Sequence, residues 1–190
     1  MDENGEFELI QGCLKGDAQS QERLYKTHYN TLLKICARYV TNLTDAESLM
    51  NDSFLKIFSN LHSYLGKGSF EGWMKRIAVN TCLDHLRTKE FGFSRKVVEM
   101  KDFHSGAGFH LEDDIIQNLE FNALLVMIQA LPGKMKVVFN LYIFENYSHK
   151  EIGKAIGITE NTSQWYLHQA RKTLQEKIKN KAKLRSAVNL

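Results

Sequence analysis

An all-α chain of two small helical domains joined by a flexible linker, the C-terminal one a helix-turn-helix domain, is what three observations predict. The 190 residues include one Pro and 12 Gly, and apolar residues recur at spacings of three and four, with no convincing two-residue alternation bounded by turn signals. The stretch from Phe91 to His110 loses that periodicity and holds Gly92, Gly106 and Gly108, which marks it as a linker. Ser148 to Leu174 reads as two short helices around a sharp turn. The expected division is therefore residues 1–90, a linker at 91–111, and residues 112–190.

The elements follow in order. Phe7 to Leu14 is a first short helix, Gly16 a break, and Asp17 the cap of a long helix from Ala18 to Val40. Leu24, Thr27 or His28, Leu32, Ile35 and Tyr39 form its inner side; Tyr25, Tyr29, Leu33 and Cys36 widen it enough to meet more than one helix. Thr44 and Glu47 form a capping box for a third helix, Asp45 to Leu61, with Ala46, Leu49, Met50, Ser53, Phe54, Ile57 and Leu61 inside. Its other face, Asp45, Ser48, Asp52, Leu55 and Ser59, mixes carboxylates with an exposed leucine. His62 to Gly68 is a loop with Tyr64 at its tip and Lys67 between two glycines.

Ser69 starts a fourth helix running to about Lys89. Phe70, Trp73, Met74, Ile77, Thr81 and Leu86 pack inward; Lys75, Arg76, Asn80, Leu83 and Arg87 project. Cations suit phosphate, and an Asn amide suits base edges. Asp113 and Asp114 open a helix to Leu131 with Ile115, Leu119, Ala123, Met127 and Ala130 inside, stopped by Pro132 and Gly133. Lys134 to Phe144 follows, apolar at Val137, Val138, Leu141 and Tyr142, with Asn146 in the turn beyond it.

In the last motif, Ser148 and Glu151 form a capping box, Ile152 and Ile156 share one face, Gly157 ends the helix, and Thr159 caps the next. Ser163, Leu167, Ala170, Leu174 and Ile178 form the inward stripe of that second helix. Glu160, Gln164, His168, Arg171 and Gln175 line the outer face, with Asn161, Trp165 and Lys172 beside them, where a major groove is read.

The net charge of +3 is unevenly divided. From residue 161 on, seven cations face Glu176 alone, a net of +6, so the remainder carries −3. A basic end on a slightly acidic body suits a polyanion at that end, although a solvated lysine-rich tail explains Lys177 onward equally well. Cys13, Cys36 and Cys82 are isolated, without Cys-x-x-Cys spacing, so buried reduced thiols are expected in place of disulfides or a zinc site. No nucleophile and base pattern, metal-ligand spacing or phosphate loop is present, so the chain is not expected to be an enzyme or to hold a metal or cofactor. No run approaches 18 apolar residues and the start is acidic, which predicts a cytoplasmic protein without membrane insertion.

Five segments carry a resemblance: GDAQSQERLYKTHY (Gly16 to Tyr29), DAESLMNDSFLKIFSNL (Asp45 to Leu61), SFEGWMKRIAVNTCLDHLR (Ser69 to Arg87), and in the second unit the Leu-Pro helix pair and the helix-turn-helix that together span Ala130 to Arg171. In this order they resemble bacterial RNA polymerase sigma factors of the extracytoplasmic-function type, which keep the family's regions two and four. The resemblance implies a promoter-specificity factor that binds core RNA polymerase through its β and β′ subunits, binds promoter DNA and helps open it, with an anti-sigma factor as a further partner. It implies that Asp45, Asn51, Asp52 and Leu55 dock on the polymerase. Leu61 to Gly68, with Tyr64 and Lys67, would capture a base flipped from the minus-ten element, and Lys75, Arg76, Asn80 and Arg87 would hold that element. Thr159, Glu160, Asn161, Gln164, Trp165, His168, Arg171 and Lys172 would enter the minus-thirty-five element. Members often carry a basic residue at the position of Gln164, a small one at Trp165 and an Arg at Gln169, so this recognition helix is less cationic than usual. The competing readings are a helix-turn-helix regulator acting without core polymerase and a helical adaptor with no nucleic-acid role.

Overall fold

The computed structural model describes the backbone of residues 3–87 and 123–188, and the side chains of 5–87 and 123–180. These form two helical units, with no strand among the described residues. The expected linker, the helix start at Asp113, and Ile115 and Leu119 lie outside the described residues.

The first unit holds α1 (Glu3–Leu14), α2 (Ala18–Ala37), α3 (Leu43–Asn60), a 3-10 turn (Leu61–Ser63) and α4 (Phe70–Leu86). Asp17 caps α2, its carboxylate accepting from the Ser20 amide at 2.8 Å and the Ser20 hydroxyl at 2.6 Å. α2 packs against α1, α3 and α4, and α3 packs on α4. Their shared core is Leu24, Leu32, Met50, Ile57, Phe70 and Met74. Tyr25 lies against Phe54, ring centroids 4.5 Å apart, which ties the wide face of α2 to α3. Cys13, Cys36 and Cys82 are buried free thiols, and burial, with a push from Asp17, raises the Cys13 pKa above its ordinary value.

Several details differ from the expectation. Asn42, not Thr44, caps α3: its side-chain oxygen accepts from the Asp45 amide at 2.7 Å and its Nδ2 donates to the Asp45 carboxylate at 3.1 Å. The helix therefore starts two residues early, at Leu43, because Asn competes well for the same orphan amides. Leu83 is buried instead of projecting, since α4 meets both α2 and α3 and so buries more than one stripe. Trp73 and Ile77, expected inside, are half-buried. At the alternative position on α2, His28 is buried and Thr27 exposed.

The His28 ring meets the edge of Phe70 at 6.5 Å. Burial holds its imidazole below the ordinary pKa, against a smaller opposing effect of Glu71 and with a small push from Lys75. The neutral ring is thus the form that the fold accepts. As pH falls below the ordinary value of about 6.5, the unfolded chain takes up the proton first, so stability present above that pH is lost with acidification. The thermal midpoint of the wild type should fall between about pH 7.5 and about 5.5 by more than that of His28→Gln. Equal falls would remove His28 as the cause.

The second unit holds α5 (described at 123–129), α6 (Gly133–Ile143), α7 (His149–Ile156) and α8 (Glu160–Val188). α6 and α7 both pack on α8. The core is Ile128, Leu131, Val137, Val138, Leu141, Ile152, Ile156, Leu167, Ala170 and Leu174. On α5 the buried position is Ile128, while Ala130 is exposed where an inner residue was expected, because the helix has already ended in a turn there. Ile178, expected to continue the inner stripe of α8, is 49% exposed, since α8 runs on past the described parts of the helices that cover it. Asn146 takes a left-handed backbone, φ 55°, in the turn to α7.

Candidate nucleic-acid interface

The α7 and α8 pair is built by local chemistry. The Ser148 side chain accepts from the Glu151 amide, and the Ser148 amide donates to the Glu151 carboxylate at 2.8 Å, a complete capping box. Gly157 then turns left-handed, φ 69°, and its amide donates to the Gly153 carbonyl. Ile158 follows with a 3.1 Å bond to the same carbonyl. A Cβ on Gly153 would lie 2.7 Å from the Ile158 carbonyl oxygen, so the turn closes tightly over that residue. Thr159 caps α8 through the Thr162 amide at 3.1 Å and shares a 2.7 Å bond with the Thr162 hydroxyl.

A second set of contacts fixes how α8 is held. His149 Nδ1 lies 2.9 Å from the hydroxyl of buried Ser163, and the His149 ring stacks on Tyr142 at 4.6 Å. The Arg171 guanidinium lies over the other partner of that stack, 5.8 Å from the Tyr142 ring centre, within cation–π range. Glu160, Asn161, Gln164, Trp165, His168, Arg171 and Lys172 are all exposed, and Trp165 retains 53% exposure beside Tyr166. Lys150 and Lys154 on α7 are exposed as well.

In the first unit, Asp52 and Leu55 are exposed on α3, Leu55 at 66%. Asn51 is exposed and accepts a 3.0 Å bond from the Tyr25 hydroxyl, while Asp45 is half-buried at the cap. Tyr64 does not sit at the loop tip. Its ring lies against Phe70 and Trp73, and its hydroxyl donates to the Gly68 carbonyl at 2.8 Å, because the adjoining start of α4 offers an aromatic surface. Burial, with the Glu6 charge adding, keeps its phenol pKa high. The residue left at the tip is Leu65, 76% exposed, beside exposed Lys67, with Gly66 and Gly68 both at positive φ.

Next to this loop, a cleft of about 300 Å³ is lined by Lys56, Asn60, Ser63, Trp73, Ile77, Asn80, Thr81 and Asp84. Asn80 is exposed at its mouth, whereas Lys75 and Arg76 are half-buried. Lys75 pairs with Glu71 at 2.6 Å, and Arg87 with Asp84 at 2.8 Å. Asp84 also approaches Lys56 of α3 at 3.7 Å. Tyr64 and Lys67 thus belong to the loop, Asn80 lines the cleft together with Trp73, which the Tyr64 ring touches, and Lys75 and Arg87 are already engaged by carboxylates.

The profile of Sigma-70 region 2 matches residues 24–91, and that of Sigma-70, region 4 matches residues 121–174. The chain belongs to the sigma factors of the extracytoplasmic-function type. It is 25% identical over 178 residues to the ECF RNA polymerase sigma factor SigW of Bacillus subtilis, covering 90% of this chain and 95% of that one. It is 27% identical to SigE of Mycolicibacterium smegmatis over 159 residues, 83% of this chain and 61% of that one. Among solved structures it resembles CnrH, in complex with the cytosolic domain of CnrY, with a TM-score of 0.51 at 16% identity over 90% and 96% of the two chains. The sigma factor RpoE of Bartonella quintana, in complex with the anti-sigma factor NepR, gives a TM-score of 0.51 at 15% identity over 83% and 96%. As a sigma factor the chain confers promoter specificity and is not itself an enzyme.

Three features of this sigma factor escaped the sequence. Lys150 and Lys154 stand four apart on α7, a spacing that flags a shared face, but they read as ordinary solvated lysines. Leu65 carries no signal of its own in the sequence, because Tyr64 beside it is the stronger candidate for the loop tip. The cleft beside Asn80 needs the approach of α3 to α4, which no local pattern announces. No helix among the described residues is long and apolar enough to cross a membrane.

Proposed function

We propose that this sigma factor works in the cytoplasm, binds core RNA polymerase through its β and β′ subunits, recognises minus-thirty-five and minus-ten promoter elements, and helps open the duplex. Residues 1–90 act as the region-two domain, 91–111 as the linker and 112–190 as the region-four domain with a basic tail. The observation that carries this reading is the outer face of α8, where Asn161, Gln164, Trp165, His168, Arg171 and Lys172 stand exposed behind a Thr159 cap. A groove-entering helix presents such a face with its first turns toward base edges. Glu160 adds a carboxylate at the same end.

The minus-ten element falls to Tyr64, Lys67, Lys75, Arg76, Asn80 and Arg87, joined by Leu65. Exposed Leu65 and the adjoining cleft support this, since unstacking a base costs a few kcal/mol and stacking on an aromatic or apolar surface recovers about 1–3 kcal/mol. Asp45, Asn51, Asp52 and Leu55 dock on the polymerase, a role supported by a leucine left bare among polar groups. An anti-sigma factor is a further partner, by analogy with the RpoE and NepR complex.

Abortive RNA synthesis from core polymerase plus this chain on a promoter library tests the whole reading. A regulator working alone would bind its site equally well without core and yield no transcripts. Asp52→Arg should weaken core binding at least about tenfold, as a reversed charge at an interface does. It should leave folding stability within about 0.5 kcal/mol, because the site is exposed. Unchanged affinity in a competition assay for core would move the docking face elsewhere.

A further inference from the structure

Resting on the assignment of α8 to the upstream element, we infer that its first two turns read A·T pairs, not guanines. Helical spacing puts Asn161, Gln164, Trp165 and His168 in one outward stripe, and all four are exposed. In the major groove, guanine shows two acceptors and is matched by the forked donors of a cation. Adenine shows an acceptor beside a donor and is matched by an Asn or Gln amide, while thymine adds a methyl matched by an apolar surface. The stripe supplies two amides and an indole, and from Glu160 to Ala170 the helix holds no Lys or Arg at all.

The remaining groups leave the assignment intact. The Thr162 hydroxyl lies 2.7 Å from that of Thr159, and with a single O–H it meets at most one of guanine's two acceptors. The two ring nitrogens of His168 point in different directions, so the imidazole meets at most one of guanine's two adjacent acceptors. The Glu160 carboxylate accepts from an amino group and so reads no guanine edge: on adenine it agrees with the stripe, and on cytosine it adds one G·C pair at the edge of the A·T run. Arg171 is the first cation of the helix. It lies seven residues beyond Gln164, about 10 Å along the axis, or about three base pairs at roughly 3.4 Å each, and its guanidinium is held over Tyr142. Lys150 and Lys154 leave from α7, the helix that crosses the backbone, and so serve phosphates.

The test uses holoenzyme assembled from core polymerase and the full chain, selecting transcribed templates from a randomised upstream region above a fixed minus-ten element. A·T pairs should be enriched at two or three adjacent positions, each discriminated about five- to hundredfold. Replacing thymine by deoxyuridine there removes the methyl and should cost wild type about fourfold in affinity. Trp165→Ala should lose that sensitivity, and Gln164→Arg should draw guanine into one position. Guanine selected by the wild type, or methyl sensitivity retained in Trp165→Ala, would overturn the inference while leaving α8 as the upstream reader. No upstream preference at all would overturn that assignment too.

Discussion

Gly153→Ala should lower the thermal midpoint of the region-four unit by roughly 5–15 °C and abolish upstream recognition, although alanine is the better helix former. The added methyl gains up to about 1 kcal/mol of helix propensity. It also lands 2.7 Å from the Ile158 carbonyl oxygen, and the atom that must yield is backbone in the turn that aims α8. Overpacking of a close-packed site costs about 1–3 kcal/mol, and a backbone obstacle puts this clash in the upper part of that range, about 2–3 kcal/mol, so it wins by about 1–2 kcal/mol, and each kcal/mol moves a small domain by about 4–8 °C. Gly157→Ala makes the comparison: a Cβ there meets open space, and only the left-handed φ of 69° resists it. Calorimetry of both variants, with upstream-element affinity of each holoenzyme, checks the argument. An unshifted Gly153→Ala transition would mean that the turn gives way more easily than its hydrogen bonds to the Gly153 carbonyl suggest.

Removing both Arg171 and Lys172 by alanine should flatten the salt dependence of closed-complex formation by about two units of slope, one per phosphate contact. The inner stripe of Leu167, Ala170 and Leu174 is untouched, so the unit still folds, less the Arg171 contact with Tyr142, which contributes about 0.5–1 kcal/mol at an exposed site. Asn80→Ala should leave that slope unchanged and instead impair strand opening, because Asn80 stands at the mouth of a cleft beside the loop proposed to take a flipped base. Closed-complex affinity against salt and permanganate reactivity of unpaired thymines separate the two defects. Equal effects of both changes on both measurements would refute the division.

Local chemistry was legible in the sequence where one turn decides the outcome. The Ser148 and Glu151 box, the left-handed Gly157 and the Thr159 cap are each set by residues within four positions, and all three stand as expected. The two units and their all-helical character follow from periodicity in the same way. What stayed hidden depends on how many neighbours a helix acquires. Leu83 is buried because α4 has partners on two sides, and Ile178 is half-exposed because α8 outruns its partners among the described residues. Where two residues compete for one role, pattern alone does not choose: Asn42 displaced Thr44 as the α3 cap. The candidate site was legible as a set of residue types on two helices, but Tyr64 folding back under Leu65 depends on rings brought together by the start of α4.

The two tryptophans of this chain fall one to each unit: Trp73 lines the cleft beside Asn80, and Trp165 stands on the outer face of α8. Their intrinsic emission is therefore separable by a single conservative exchange. With Phe at position 73 the remaining fluorophore reports only on the recognition helix, and with Phe at position 165 it reports only on the cleft. Because Trp73 stacks on Phe70 and touches Tyr64, a nucleobase entering beside it changes the surroundings of a ring whose other neighbours are fixed. Changes at the recognition helix and at the cleft can accordingly be timed in two unlabelled single-tryptophan variants, each from its own optical signal.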